Sequence, residues 1–165
     1  MKGKEEVFKK VASLLANANF TIVDKDESRP WGGFYVIDES QAAEFAKHFF
    51  AEENLEEIKI TSKLSPKILI VAPHKRLSWQ YHHRRAEVWK CISDKVSVAT
   101  SDTDEQTHIH VLNNGDIIKL PTGKRHRLIG MEDWGIVAEI WQHTDETRPS
   151  DENDIIRVQD DFNRK

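Results

Sequence analysis

Gln80, His82 and Glu87 bring an amide, an imidazole and a carboxylate into the run Gln80-Tyr81-His82-His83-Arg84-Arg85-Ala86-Glu87. A second run, from Gly115 to His126, ends in a further imidazole just after Pro121-Thr122-Gly123. Side chains alternate faces along a strand, so Ser78, Gln80 and His82 share one face while Trp79, Tyr81 and His83 share the other. A tight Arg84-Arg85-Ala86 connection leads to a second strand, on which Glu87, Trp89 and Cys91 share a face. If Gln80 and His82 point into a barrel, Glu87 meets them across the hairpin, and His126 arrives from a sequence-distant strand. Nitrogen and oxygen donors converging in this way are what a divalent metal needs. A lone histidine is by default a buried residue satisfied by hydrogen bonds; the conjunction of four groups on two motifs is what points to a metal.

Other groups carry less. His108-Ile109-His110 places two imidazoles on one strand face, but no carboxylate follows at a matching interval, so a structural or surface role is expected. Cys91 is the single cysteine, which excludes a disulfide within the chain and suits a reducing compartment. A lone thiol on that face reads as a small buried hydrophobe. The 28 acidic and 24 basic residues give a net charge of -4, which argues against a general nucleic-acid binder. Arg76, Arg84, Arg85, Lys124, Arg125 and Arg127 nevertheless crowd the two motifs, as a small anionic ligand would require. The chain lacks an apolar signal core and any long apolar run, so a soluble, cytoplasmic protein without membrane contact is expected.

The elements that must position these groups follow from periodicity. Val7, Phe8, Val11, Leu14 and Leu15 predict a helix over 5–17. Phe20–Val23 reads as a strand, Asp24–Ser28 as a polar turn, Arg29-Pro30-Trp31-Gly32-Gly33 as punctuation, and Phe34–Ile37 as another strand. Asp38 and Gln41 have the offset of a capping box, and Ala42, Phe45, Ala46, Phe49 and Phe50 predict a second helix from about Ser40 to the region of Glu53. From Ile58 the texture changes to short runs separated by turn residues. They are Ile58–Thr61, Ile68–Val71, Ser78–His83, Glu87–Ile92, Val96–Thr100, His108–Leu112, Asp116–Leu120, His126–Ile129 and Ile136–Gln142. So many short strands in succession predict an antiparallel sandwich or barrel. Residues 143–153 read as a surface loop and 154–158 as a last strand or turn. A chain of 165 residues fits one domain, read as an extension over 1–57, a barrel over 58–143 and a loop and tail over 144–165.

The pattern from Gly115 through Pro121-Thr122-Gly123 to His126 resembles the second motif of the cupin superfamily, although Gly130 stands where that motif often ends in Asn. The first motif is matched with Gln80 in place of its first histidine. With Arg29-Pro30-Trp31-Gly32, Arg76-Leu77-Ser78, the run Gln80–Trp89, Pro121–Leu128, Glu139-Ile140 with Gln142, and Asp154-Ile155 with Arg157, the chain resembles the cupin domain of type II mannose-6-phosphate isomerases. That domain also forms the C-terminal part of enzymes fused to mannose-1-phosphate guanylyltransferase, of which only the isomerase half is matched.

The resemblance implies a mainly β, jelly-roll cupin barrel with an N-terminal helix and an inserted helix before the barrel. It implies Gln80, His82, Glu87 and His126 as metal ligands, with zinc as the expected ion and Mn, Fe, Co or Ni also suited to such donors. A neutral amide at position 80 is a weaker donor than imidazole and leaves the metal a stronger Lewis acid. The implied reaction interconverts mannose 6-phosphate and fructose 6-phosphate through an enediolate, with Arg85 and Glu139 as catalytic candidates. Arg76, Arg127 and Lys119 are the candidates for binding substrate; alternation turns Arg127 away from His126, and Lys119 stands where the family has an aromatic residue. The partner implied is a sugar phosphate, in a possible homodimer. Alternatives are an isomerase of another sugar phosphate and a non-catalytic cupin that binds a sugar phosphate or sugar nucleotide. An oxygen-dependent cupin is disfavoured by Gln80 and by the arginines.

Overall fold

A computed structural model describes residues 3–54 and 63–162 of the chain. Helix α1 spans Lys4–Asn17 and buries Val7, Phe8, Val11 and Leu15, while Leu14 stays 42% exposed. Its stripe is thus narrower than the periodicity suggested. Strands β1 (Ile22–Arg29) and β2 (Gly32–Ile37) form a hairpin. The expected polar turn over Asp24–Ser28 is therefore a strand. It lies at the edge of its sheet with most of its side chains in water, where charge is favoured and apolar alternation is not required. The hairpin turns at Pro30-Trp31. Gly32 has φ 143, and a Cβ there would stand 2.0 Å from the Ile70 carbonyl oxygen, so only glycine fits.

Asp38 accepts the Ser40 N–H at 2.9 Å and opens a short 3-10 turn, Glu39–Gln41. Gln41 does not reciprocate as a capping box would; its amide bonds the Thr21 N–H and the Asn19 carbonyl oxygen, each at 2.7 Å. Helix α2 covers Ala42–Phe49 and stops short of the expected Glu53. The strand expected at Ile58–Thr61 falls outside the described residues.

Among the described residues nine strands follow: β3 (Lys67–Val71), β4 (Trp79–Tyr81), β5 (Arg85–Cys91), β6 (Lys95–Ser101), β7 (His108–Asn113), β8 (Ile117–Leu120), β9 (Arg125–Ile129), β10 (Gly135–His143) and β11 (Ile156–Gln159). They form two antiparallel sheets, ordered β1-β2-β3-β10-β5-β8 and β11-β4-β9-β6-β7. One apolar core, including Leu69, Trp89, Val98, Leu128 and Val137, lies between the sheets. A second, with Leu15, Phe45, Phe49, Ile68, Ile70 and Ile140, lies between the large sheet and the two helices. Central strands β3 and β10 are consequently buried on both faces, which explains the unbroken Ile68–Val71 run. Parity sets what enters the barrel: Leu69 and Val71 face inward, and so does Lys67; Val137 faces inward, and so do Glu139 and Trp141. No helix among the described residues is long and apolar enough to cross a membrane.

Candidate metal centre

His82, Glu87 and His126 meet inside the barrel, with one ligand atom from each lying within 4.8 Å of the others and all three residues buried. Register explains the meeting. His126 on β9 pairs with Gln80 on β4, which places His82 beside it at the strand's end. Glu87 comes from β5, across the barrel, fixed between Leu120 and Trp141. The Pro121-Thr122-Gly123 turn contributes more than spacing. Gly123 takes φ 81, which favours glycine, and its N–H bonds the His82 carbonyl oxygen at 3.0 Å.

Each imidazole is held by its far nitrogen. His82 Nδ1 lies 2.7 Å from the Asp154 carbonyl oxygen, and His126 Nδ1 lies 2.9 Å from that of Lys124. A carbonyl can only accept, so Nδ1 carries the proton in both rings and Nε2 presents a lone pair. His126 Nε2 approaches Glu87 Oε1 at 2.9 Å, and His82 Nε2 approaches the same oxygen at 3.6 Å. The 2.9 Å approach lacks hydrogen-bond alignment, and neither His126 Nε2 nor Glu87 Oε1 has a hydrogen-bond partner although both are buried. Buried acceptors left facing one another in this way are costly unless a cation lies among them. The donor set therefore fits a divalent metal ion.

Electrostatics supports the same state of charge. Burial works to raise Glu87, but the permanent charge of Arg85 beside it holds its carboxyl well below the usual carboxylate range. Burial pushes His82 below its ordinary value, which keeps its ring neutral. Arg85 donates from Nε to Glu87 Oε2 at 3.0 Å, and its Nη2 stands 3.3 Å from His82 Nε2. It lies on β5 itself, not in the connection as expected, because the turn is already complete at Arg84. Gln80 is half-buried; its Oε1 accepts from Ser78 Oγ, and its Nε2 lies 3.5 Å from His82 Nε2. Exchange of the amide's O and N would present the oxygen to the cluster.

Glu139 lies in the same cavity, with Trp89 Nε1 donating to one oxygen at 2.6 Å and Trp141 Nε1 to the other at 2.8 Å. Burial, reinforced by the charge of Glu87, raises its carboxyl to about 7. The Trp89 indole also stands edge-on to the His126 ring at 5.4 Å.

The other cations flagged by sequence are engaged elsewhere. Arg76 makes two bonds to Asp161, at 2.6 and 2.9 Å, and does not line the cavity. Arg127 is fully buried against the Leu77 carbonyl oxygen and Gln159, and burial lowers its guanidinium to about 10. Lys119 is exposed and ion-paired with Glu53 at 3.1 Å. Lys124 and Arg125 pair with Asp102 and Asp104, and Arg84 with Asp151 and Asp154. Of the six residues in the basic cluster, only Arg85 lines the cavity. His108 and His110 are exposed on β7, an edge strand, and Cys91 is fully buried.

Sequence reasoning missed Lys67, Arg29 and Arg157 as cavity residues. It also missed Asp154, whose carboxylate accepts from Ser150 Oγ at 2.6 Å and from the N–H groups of His83 and Arg84, each at 2.9 Å. Burial opposes its ionisation, but these three donors prevail and hold it at about 2. Strand parity could have found Lys67; the resemblance marked Arg29, Asp154 and Arg157 but assigned them no place in the site. A larger cavity of about 680 Å³ lies between α1 and the outer face of the large sheet, but its lining is mainly apolar and holds none of the candidate ligands. The chemistry is therefore assigned to the smaller, interior cavity.

Two facing antiparallel sheets around a buried His-His-Glu cluster define a cupin. Solved structures agree on the fold. The capsular polysaccharide assembling protein CapF from Staphylococcus aureus aligns with TM-score 0.53 at 14% identity, over 82% of this chain and 34% of that one. Oxalate decarboxylase from Lactobacillus farciminis gives 0.56 at 13% identity, over 81% and 33%. Hazelnut (Corylus avellana) vicilin gives 0.55 at 16%, over 85% and 36%. The chain thus spans about a third of the length of these proteins. No curated protein matches it in sequence. The family model described as mannose-6-phosphate isomerase C-terminal matches residues 46–160, and the chain belongs to that family.

Proposed function

We propose that this chain is a metal-dependent sugar-phosphate isomerase that interconverts mannose 6-phosphate and fructose 6-phosphate. The observation that carries the reading is the convergence of three kinds of group on one cavity. These are the His82–Glu87–His126 cluster, a carboxyl raised to about 7 at Glu139, and the buried guanidinium of Arg85. Family membership supports the reaction class. In this reading His82, Glu87, His126 and Gln80 hold the metal, with zinc the expected ion. A bound divalent ion supplies Lewis-acid stabilisation of the oxyanion that develops during enolisation.

The remaining work falls to the chain. Glu139 takes the proton from the carbon beside the carbonyl and returns it to the neighbouring carbon, while the hydroxyl proton passes from the C2 oxygen to the C1 oxygen; the carbon transfer suits a group titrating near neutrality. The two indoles keep its carboxylate in one orientation. Arg85 keeps Glu87 ionised and is placed to share its charge with the developing enediolate. The test is to purify the protein, measure its metal content, and follow conversion of mannose 6-phosphate with and without a chelator. Metal-dependent turnover is expected. No turnover by metal-replete protein across a panel of sugar phosphates would overturn the reading and favour a non-catalytic, metal-binding cupin.

A further inference from the structure

The wall of the interior cavity carries an alternation of cations and aromatic rings. The Arg29 guanidinium stands 5.7 Å from the Phe34 ring, and Lys67 Nζ stands 4.8 Å from that ring and 5.1 Å from Trp141. The Arg85 guanidinium covers the other part of the ladder, 3.6 Å from Trp141, where it meets Glu87. Arg157, on β11 opposite Gln80, lines the same cavity. The rings fix these cations in place by their π faces and add no negative charge.

Lys67 is the most informative member. It is only 7% exposed, it sits opposite Glu139 in the β3–β10 register, and it points into the barrel. Its ammonium is ion-paired at 2.9 Å with Glu152, whose side chain is 74% exposed. Glu152 belongs to the connection between β10 and β11. Around it that connection is tied down: Ser150 bonds His143 and Arg85, and Asp154 bonds the His83 and Arg84 backbone. So a surface carboxylate reaches in from an anchored loop to cap a buried cation. The cavity beneath measures about 90 Å³. Small-molecule sites run from roughly 300 Å³ upward. That space is smaller than a hexose phosphate needs, and Glu152 forms part of its wall.

We propose that Lys67 anchors an anion subsite for the phosphoryl group of the sugar phosphate, and that Glu152 occupies this subsite in the free protein and leaves it on binding. The identity of the anion rests on the function proposed above; the subsite and its internal competitor do not. A phosphoryl dianion meets the three ammonium donors of Lys67, whereas Glu152 offers one negative charge on a largely exposed side chain. Each binding event must displace that carboxylate, so the observed affinity is lowered by the fraction of protein in which Glu152 is seated.

The test is calorimetric titration of the full chain with inorganic phosphate and, separately, with mannose 6-phosphate, each with and without chelator. Binding that survives chelation belongs to the subsite and not to the metal. Glu152→Gln, an exposed change with little bearing on folding, is expected to tighten phosphate binding by up to about fivefold, the range of an exposed ion pair. Lys67→Met, checked for folding by its melting curve, is expected to weaken it at least about tenfold. Unchanged or weaker phosphate binding in Glu152→Gln would overturn the competitor, and undiminished chelator-resistant binding in Lys67→Met would overturn the subsite. Turnover is not read, so a protein that binds phosphate in this manner but isomerises nothing would sink only the isomerase reading.

Discussion

Replacing Glu139 by glutamine separates the raised carboxyl of this residue from the base role proposed for it. The carboxyl is buried, and its value of about 7 stands well above the ordinary 4.5. Each pH unit of such a difference corresponds to about 1.4 kcal/mol. The sign follows from proton binding. Because the folded value is raised, the folded protein holds this proton more tightly than the unfolded chain does. Stability is therefore full below about pH 4.5 and is lost as pH rises through about 7. Between pH 5 and pH 8 the parent should lose about 2–3 kcal/mol on account of Glu139 alone. Glutamine cannot titrate. It also turns an N–H toward one of the two indole donors, a penalty of about 1–3 kcal/mol that does not vary with pH.

The difference in unfolding free energy between parent and Glu139→Gln, from urea titrations, should thus move by about 2–3 kcal/mol in the variant's favour from pH 5 to pH 8. A difference that stays constant within about 0.5 kcal/mol would refute the raised value. The same variant tests the chemistry. As a base, Glu139 must be deprotonated, so kcat/KM should rise through about pH 7 and level off above it. Glutamine should lower kcat by about 100-fold or more, the scale of general-base catalysis. A variant with full activity would remove Glu139 from the mechanism whatever its stability did.

Three further outcomes are expected. Asp154→Asn should lose about 2 kcal/mol at neutral pH, or roughly 4–8 °C in Tm, because its depressed value gives stability that is full above about pH 3.8 and lost as pH falls through about 2. Melts at pH 7 that match the parent would contradict this, as would a gap that persists in acid. His126→Ala should abolish stoichiometric metal in the purified protein while His110→Ala leaves it intact, as read by elemental analysis; equal metal in both would displace the site. Gly32→Ala, which drives a Cβ into the Ile70 carbonyl at 2.0 Å, should cost about 3 kcal/mol or more, and a melting curve like the parent's would mean that the hairpin is not held as described.

The strand-rich architecture was legible because apolar runs and turn residues alternate from Ile68 to Gln142, and the observed strands fall on those runs to within two residues. The misreadings have a common cause. Asp24–Ser28 looks like a turn because its residues are polar, yet an edge strand in water needs no apolar face. The second helix ends at Phe49 although polar residues suited to a helix continue to Glu53.

For the site, two motifs and the resemblance they carry nominated Gln80, His82, Glu87 and His126, and the lack of a following carboxylate set aside His108 and His110. Local chemistry of that kind repeats along the chain and is fixed by the alternation of a strand. What spacing could not reveal is where each cation spends its charge. Arg76, Arg84, Lys124 and Arg125 sit near the motifs in sequence but find carboxylates on the surface, and Arg127 is used in packing. Lys67, hidden at the head of an apolar strand, is carried inward by the parity of Leu69 and Val71. Asp154, 72 residues from His82, reaches that ring through its backbone carbonyl only because β11 folds back onto β4. The sequence alone determined the strands, through periodicity, and nominated His82, Glu87 and His126 through two motifs and the resemblance they carry; their meeting rests on the β4–β9 pairing. Only the tertiary structure decided which charges face the cavity, because that depends on pairings between residues many strands apart.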